Sequence, residues 1–131
     1  MRISRSLLDE MIAHARADAP NECCGMIGGR DGEAEKVVRV KNAAASPLRY
    51  EVEPRDQLRI ETTIEDSGWE LGAIYHSHTR SEAYPSQTDV NLAFYPEALY
   101  VIIGVQGEEP DVRAWSIVDG QVSERELEID D

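Results

Sequence analysis

The chain has 131 residues, 41% hydrophobic and 30% charged, with 26 acidic against 13 basic side chains and a net charge of −13. That length suits one compact domain, taken as residues 1–131, whose core needs no staple, and the composition is too apolar for a disordered chain. Its longest apolar runs fall far short of the ~20 residues that cross a bilayer, and so acidic a chain lacks the Lys/Arg clusters that bind a phosphate backbone; no membrane and no nucleic acid are expected as partners.

Met1-Arg2-Ile3-Ser4 leads into charged, periodic sequence, with no secretory leader pattern. Ser4 or Ser6 can cap a helix whose apolar positions Leu7, Leu8, Met11, Ile12 and Ala15 recur at helical spacing, and Pro20 ends it. His14 falls on the polar side of that helix and is expected in solvent. Cys23 and Cys24 are neighbours, which rarely reach relaxed disulfide geometry. One buried small side chain and one partly exposed thiol are expected, in a reducing cytoplasm. Cys24 to Gly29 reads as a buried strand closing near Asp31-Gly32, and Ala34–Val40 and Arg49–Val52 as two more strands. Pro54 opens a helix from Arg55 to about Asp66, stopped by Ser67-Gly68. Glu70–His76 is a central strand. A short helix runs from Ser86 to about Phe94, ended by Tyr95-Pro96. Leu99–Val105 is the most apolar strand, and Val112–Val118 pairs with Gln121–Ile129 around Asp119-Gly120. Trp69, Trp115 and Tyr100 read as packing residues. The pattern is mixed α/β (α+β), a central mixed sheet flanked by helices, without repeat or linker.

The segment that carries chemistry begins at His76-Ser77-His78 and reaches Asp89. Two histidines two residues apart at a strand end point to one face, and Asp89 follows after a loop long enough to fold back. Two neutral imidazoles and a carboxylate make a nitrogen/oxygen set that suits zinc, with a fourth position left for water. Taken singly, each piece has a plainer explanation: a polar strand end for His-x-His, a capped helix start for Ser86-x-x-Asp89. Ser77, between the histidines, points the other way. An Asp-His after His-x-His, a later Cys-x-x-Cys and a His-Glu-x-x-His helix are all absent, which sets aside other zinc hydrolases.

Taken in order, Glu22, His76-Ser77-His78, seven residues, Ser86, two residues and Asp89 resemble the JAMM motif of the MPN+ zinc metalloproteases. The resemblance implies an MPN/JAB-type, cytidine-deaminase-like fold and one Zn²⁺ per chain held by His76, His78 and Asp89. It implies Glu22 as general base and Ser86 as donor to the oxyanion. No histidine adjoins Cys23 and Cys24 to activate a thiolate, so neither is expected to act as a nucleophile. The short Thr79–Pro85 loop, with Tyr75-His76-Ser77-His78-Thr79, Glu82-Ala83-Tyr84-Pro85-Ser86, Thr88-Asp89-Val90 and Ile117-Val118-Asp119-Gly120, is most similar to the small bacterial Mec-type branch. In that branch the partner is a ubiquitin-like sulfur-carrier protein ending in Gly-Gly, and the reaction frees cysteine from its C-terminal amide in cysteine biosynthesis. A homodimer is compatible with this expectation. A deubiquitinase-like isopeptidase or peptidase on another tagged protein, and a non-catalytic module that docks a ubiquitin-like fold, remain as alternatives.

Overall fold

A computed structural model describes residues 1–131. In chain order the elements are β1 (Arg2–Ser4), α1 (Arg5–Asp18), β2 (Cys24–Arg30), β3 (Glu33–Val40), α2 (Pro54–Asp66), β4 (Glu70–His78), α3 (Gln87–Asn91), β5 (Leu99–Gly104), β6 (Asp111–Val118), β7 (Gln121–Arg125) and β8 (Glu128–Asp130). Ser4 is the cap of α1, its Oγ accepting from the Leu7 N–H at 3.2 Å, and α1 stops at Ala19 ahead of Pro20. Pro54 sits in the first turn of α2, where a missing N–H costs nothing.

All eight strands form one mixed sheet in the order β7-β6-β5-β4-β2-β3-β1-β8. β7 and β8 lie at opposite edges although only Glu126 and Leu127 separate them in the chain, so the sheet must curl until its edges approach. The expected return strand Gln121–Ile129 is therefore two strands. β7 pairs antiparallel with β6, whereas β8 pairs parallel with β1, a strand the sequence reading did not contain. The expected strand at Arg49–Val52 is irregular chain. Its backbone is satisfied locally instead: the Arg49 carbonyl and the Glu51 N–H both bond the Asn42 side chain, and the Glu51 carbonyl accepts from the Ala43 N–H. The third helix ends by Asn91, short of Phe94, because the Tyr95 N–H donates to the Tyr100 hydroxyl at 3.1 Å and leaves the helical path.

The two faces of the sheet carry separate cores. α1 covers one with Leu8, Met11 and Ala15 against Cys23, Ile27, Ala73, Tyr75, Val101 and Ile103. α2 covers the other with Ile60 and Ile64 against Cys24, Met26, Ile74, Tyr100, Ile102 and Trp115. Trp69 is half-buried against this second core. With both faces covered, both cysteines are fully buried, not one of them; burial pushes the Cys23 and Cys24 thiols up to about 11 and about 12. His14 is also buried, contrary to expectation: its Nδ1 lies 2.7 Å from the Tyr75 hydroxyl. Tyr75 reaches that position because its ring lies over Gly25, where a Cβ would collide with it.

Candidate metal centre

Strict alternation along β4 sends Tyr75 and Ser77 to the α1 face and Ile74, His76 and His78 to the α2 face. β4 extends two residues past its expected end, so both histidines belong to it. Ser77 ties the strand to its neighbour, its Oγ accepting from the Cys23 N–H at 2.8 Å. β4 and β5 run parallel, joined by a crossover through the 79–86 loop and α3, and Asp89 returns on α3 to the C-terminal end of β4. The loop is pinned by the Trp115 indole N–H, which donates to the Ala83 carbonyl at 2.9 Å, and by Thr79 Oγ1, which donates to the Pro20 carbonyl at 2.8 Å.

These elements bring His76 Nε2, His78 Nε2 and Asp89 Oδ2 to one point. The nitrogens are 3.1 Å apart, and the carboxylate oxygen lies 3.2 Å from His76 and 2.9 Å from His78. All three residues are buried. Tetrahedral zinc with bonds near 2.0–2.1 Å separates its ligand atoms by about 3.3 Å, so the triangle fits within a few tenths of an ångström. The protonation pattern argues the same way. His78 Nδ1 is 2.7 Å from the Glu82 carbonyl, which accepts only from an N–H, so a neutral His78 turns its Nε2 lone pair toward Asp89 Oδ2. Two acceptors in that contact are favourable only with a proton or a cation between them.

Asp89 is held by a capping box: its Oδ2 accepts from the Ser86 N–H at 2.9 Å while its own N–H donates to Ser86 Oγ at 3.1 Å. Burial would raise the Asp89 pKa, but the hydrogen bonds from His76, His78 and Ser86 hold it well below the usual carboxylate range. Burial lowers His76. For His78 burial is outweighed by the Asp89 hydrogen bond and the Glu82 carbonyl, and the net shift is upward.

Glu22 enters from the chain ahead of β2. One carboxylate oxygen lies within 4.8 Å of ring nitrogens of His76 and His78, a looser approach than that of Asp89, and its Oε1 is buried with no hydrogen-bond partner. Burial, with the charge of Asp89 adding to it and that of His78 opposing, pushes this carboxyl up to about 8. All five sequence-derived site residues thus meet at one end of β4. Three contributors were not foreseen. Tyr50 stacks on His76, Asn42 donates to the Glu22 carbonyl at 3.0 Å, and Trp115 anchors the loop. Tyr50 also lines an apolar recess of about 250 Å³ with Ile74, Leu92, Phe94, Tyr95 and Tyr100. A larger recess of about 440 Å³, rich in glutamate, includes Glu70 at the far end of β4, ~26 Å of strand away from His78.

A sheet that delivers two histidines and a carboxylate to one point beside an unpartnered buried glutamate builds the donor set of a metal-dependent hydrolase. The chain belongs to the family of prokaryotic homologues of the JAB domain, whose model matches residues 4–118. It is 39% identical over 130 residues to the CysO-cysteine peptidase of Mycobacterium tuberculosis, covering 97% of this chain and 89% of that protein. To the probable TtuB-protein conjugate cleaving protease of Thermus thermophilus it is 38% identical over 120 residues, 91% of this chain and 77% of that one. A protein of Desulfitobacterium hafniense solved in solution superimposes with a TM-score of 0.90 at 34% identity, covering 98% of this chain and 92% of its own. No helix is long and apolar enough to cross a membrane.

Proposed function

We propose that this chain is a zinc peptidase that hydrolyses the amide between the C-terminal glycine of a ubiquitin-like sulfur carrier and a cysteine, releasing cysteine for its biosynthesis. The convergence of His76, His78 and Asp89 within 2.9–3.2 Å carries the chemical half of this reading. Similarity to the M. tuberculosis CysO-cysteine peptidase along 97% of the chain supports the substrate. His76, His78 and Asp89 would hold the ion. Zinc held there would supply Lewis acidity toward a carbonyl oxygen and lower the pKa of a water toward neutrality. Glu22, whose carboxyl a cation beside it would ionise, would take the proton of the attacking water and deliver it to the leaving amine; its partnerless Oε1 leaves an oxygen free to do so. Ser86 Oγ already accepts from the Asp89 N–H, so its own O–H remains to donate to the developing oxyanion.

A Gly-Gly tail, lacking side chains, can thread to the site in extended form, while contacts with the carrier body orient the bond to be broken. The net charge of −13 favours a basic face on that carrier. A single amino acid as leaving group suits the short loop over the site. Two unpaired, buried cysteines suit a reducing cytoplasm.

The similarity to the T. thermophilus conjugate-cleaving protease favours one second reading, a peptidase that removes a ubiquitin-like tag from another protein. Mass spectrometry separates the two. A carrier bearing Gly-Gly–Cys should lose one cysteine, while a ubiquitin-type isopeptide dimer stays intact. Efficient cleavage of the dimer beside an inert cysteine adduct would replace the first reading by the second. No turnover of either would leave a binding module.

A further inference from the structure

The two histidines of the site are held differently. His78 donates its outer ring N–H to the Glu82 carbonyl at 2.7 Å, the arrangement by which metal-binding histidines are usually fixed in orientation and tautomer. His76 has no such bond: its Nδ1 is buried without any hydrogen-bond partner. Its ring lies instead against Tyr50, with centroids 4.5 Å apart and planes inclined by 24°. Tyr50 is itself buried in a segment without regular secondary structure, so something must fix it. Asn42 does so. Its Nδ2 donates to the carbonyl of Arg49 at 3.0 Å and its Oδ1 accepts from the N–H of Glu51 at 2.9 Å, bracketing Tyr50 on both sides. The same Nδ2 donates to the Glu22 carbonyl at 3.0 Å, and Oδ1 accepts from Ala44 at 3.0 Å. One buried amide therefore ties the stretch carrying Tyr50 to the backbone of the glutamate.

We propose that Tyr50, clamped by Asn42, is the positioning residue for His76, its ring face doing for that ligand what the Glu82 carbonyl does for His78. Loss of the ring face frees His76 to rotate about its side-chain torsions, and that freedom must be given up again when a metal binds. The Tyr50 hydroxyl takes no part in this, because the contact is face to face.

The inference rests on the metal-site reading, and zinc affinity of the full chain, measured by competition with a chromogenic chelator, tests both separately without turnover. Tyr50→Leu should weaken zinc binding about 10-fold or more, the usual effect of losing an outer-shell partner, and Asn42→Ala should shift it in the same direction. Tyr50→Phe, which keeps the face, should stay within about 2-fold of the unaltered chain. A folded Tyr50→Leu protein with unchanged affinity overturns the proposal, and so does a Phe variant as weak as the Leu variant. Should Tyr50→Leu fail to fold, Tyr50→Met is the ringless substitute; if both unfold while Phe folds, Tyr50 is a core residue and the proposal falls. An unaltered chain that binds no zinc defeats the metal-site reading instead.

Discussion

Replacing Glu22 by Gln separates metal binding from proton transfer. Gln keeps the shape of the protonated acid but accepts no proton, and none of the 2.9–3.2 Å contacts among His76, His78 and Asp89 involves Glu22. Zinc content should therefore persist while turnover of the carrier–cysteine adduct falls by the ~10²–10⁴ typical of a lost general base. The metal-free protein offers an independent reading. Burial holds the Glu22 carboxyl up at about 8 against an ordinary 4.5, so the folded chain binds this proton more tightly than the unfolded chain does. Unfolding then releases a proton between those two pH values, and stability contributed by this group is lost as pH rises across that window. Gln removes the titration. In chelator-treated protein, the stability of Glu22→Gln relative to the unaltered chain should thus grow from pH 5 to pH 8, by on the order of 3 kcal/mol. Urea unfolding at the two pH values measures it. Near-normal turnover in the Gln variant removes Glu22 from the mechanism, and a pH-independent stability difference refutes the account of its buried carboxyl.

His76→Ala and Asp89→Ala should each lose zinc and turnover together, by metal analysis and adduct mass; full zinc retention in both would refute the ligand set. Zinc affinity should decline as pH falls, beginning with His78, which is raised above the ordinary 6.5, because a protonated imidazole cannot bind the ion; chelator competition across pH 5–8 checks it. Ser86→Ala should slow turnover by up to ~10²–10³ if its hydroxyl serves the oxyanion, and should cost ~1 kcal/mol in urea unfolding for the lost cap. Gly25→Ala places a Cβ into the Tyr75 ring, which is buried and hydrogen-bonded to His14; overpacking of this kind costs about 1–3 kcal/mol or more, and an unchanged unfolding midpoint would contradict the packing described.

Local features are legible in the residues alone. Helical spacing and the Ser4 and Pro54 signals gave α1 and α2 their starts, and alternation along β4 put His76 and His78 on one face whatever surrounds them. The ordered motif residues then named the donors. Features that depend on partners far along the chain are set by the fold. β1 is three residues, too short to signal a strand, and β8 is legible only as the tail of one long return strand; both stand apart because they pair with each other across a span of 126 residues. Arg49–Val52 alternates like a strand yet bonds the Asn42 side chain, a competitor no pattern reveals. His14 belongs on a polar helix face by periodicity, but the curled sheet brings the Tyr75 hydroxyl to it, and a hydrogen bond at 2.7 Å makes a buried ring acceptable. The stacking of Tyr50 on His76 is of the same kind: two residues 26 positions apart meet only because the strand and the loop fold onto one site.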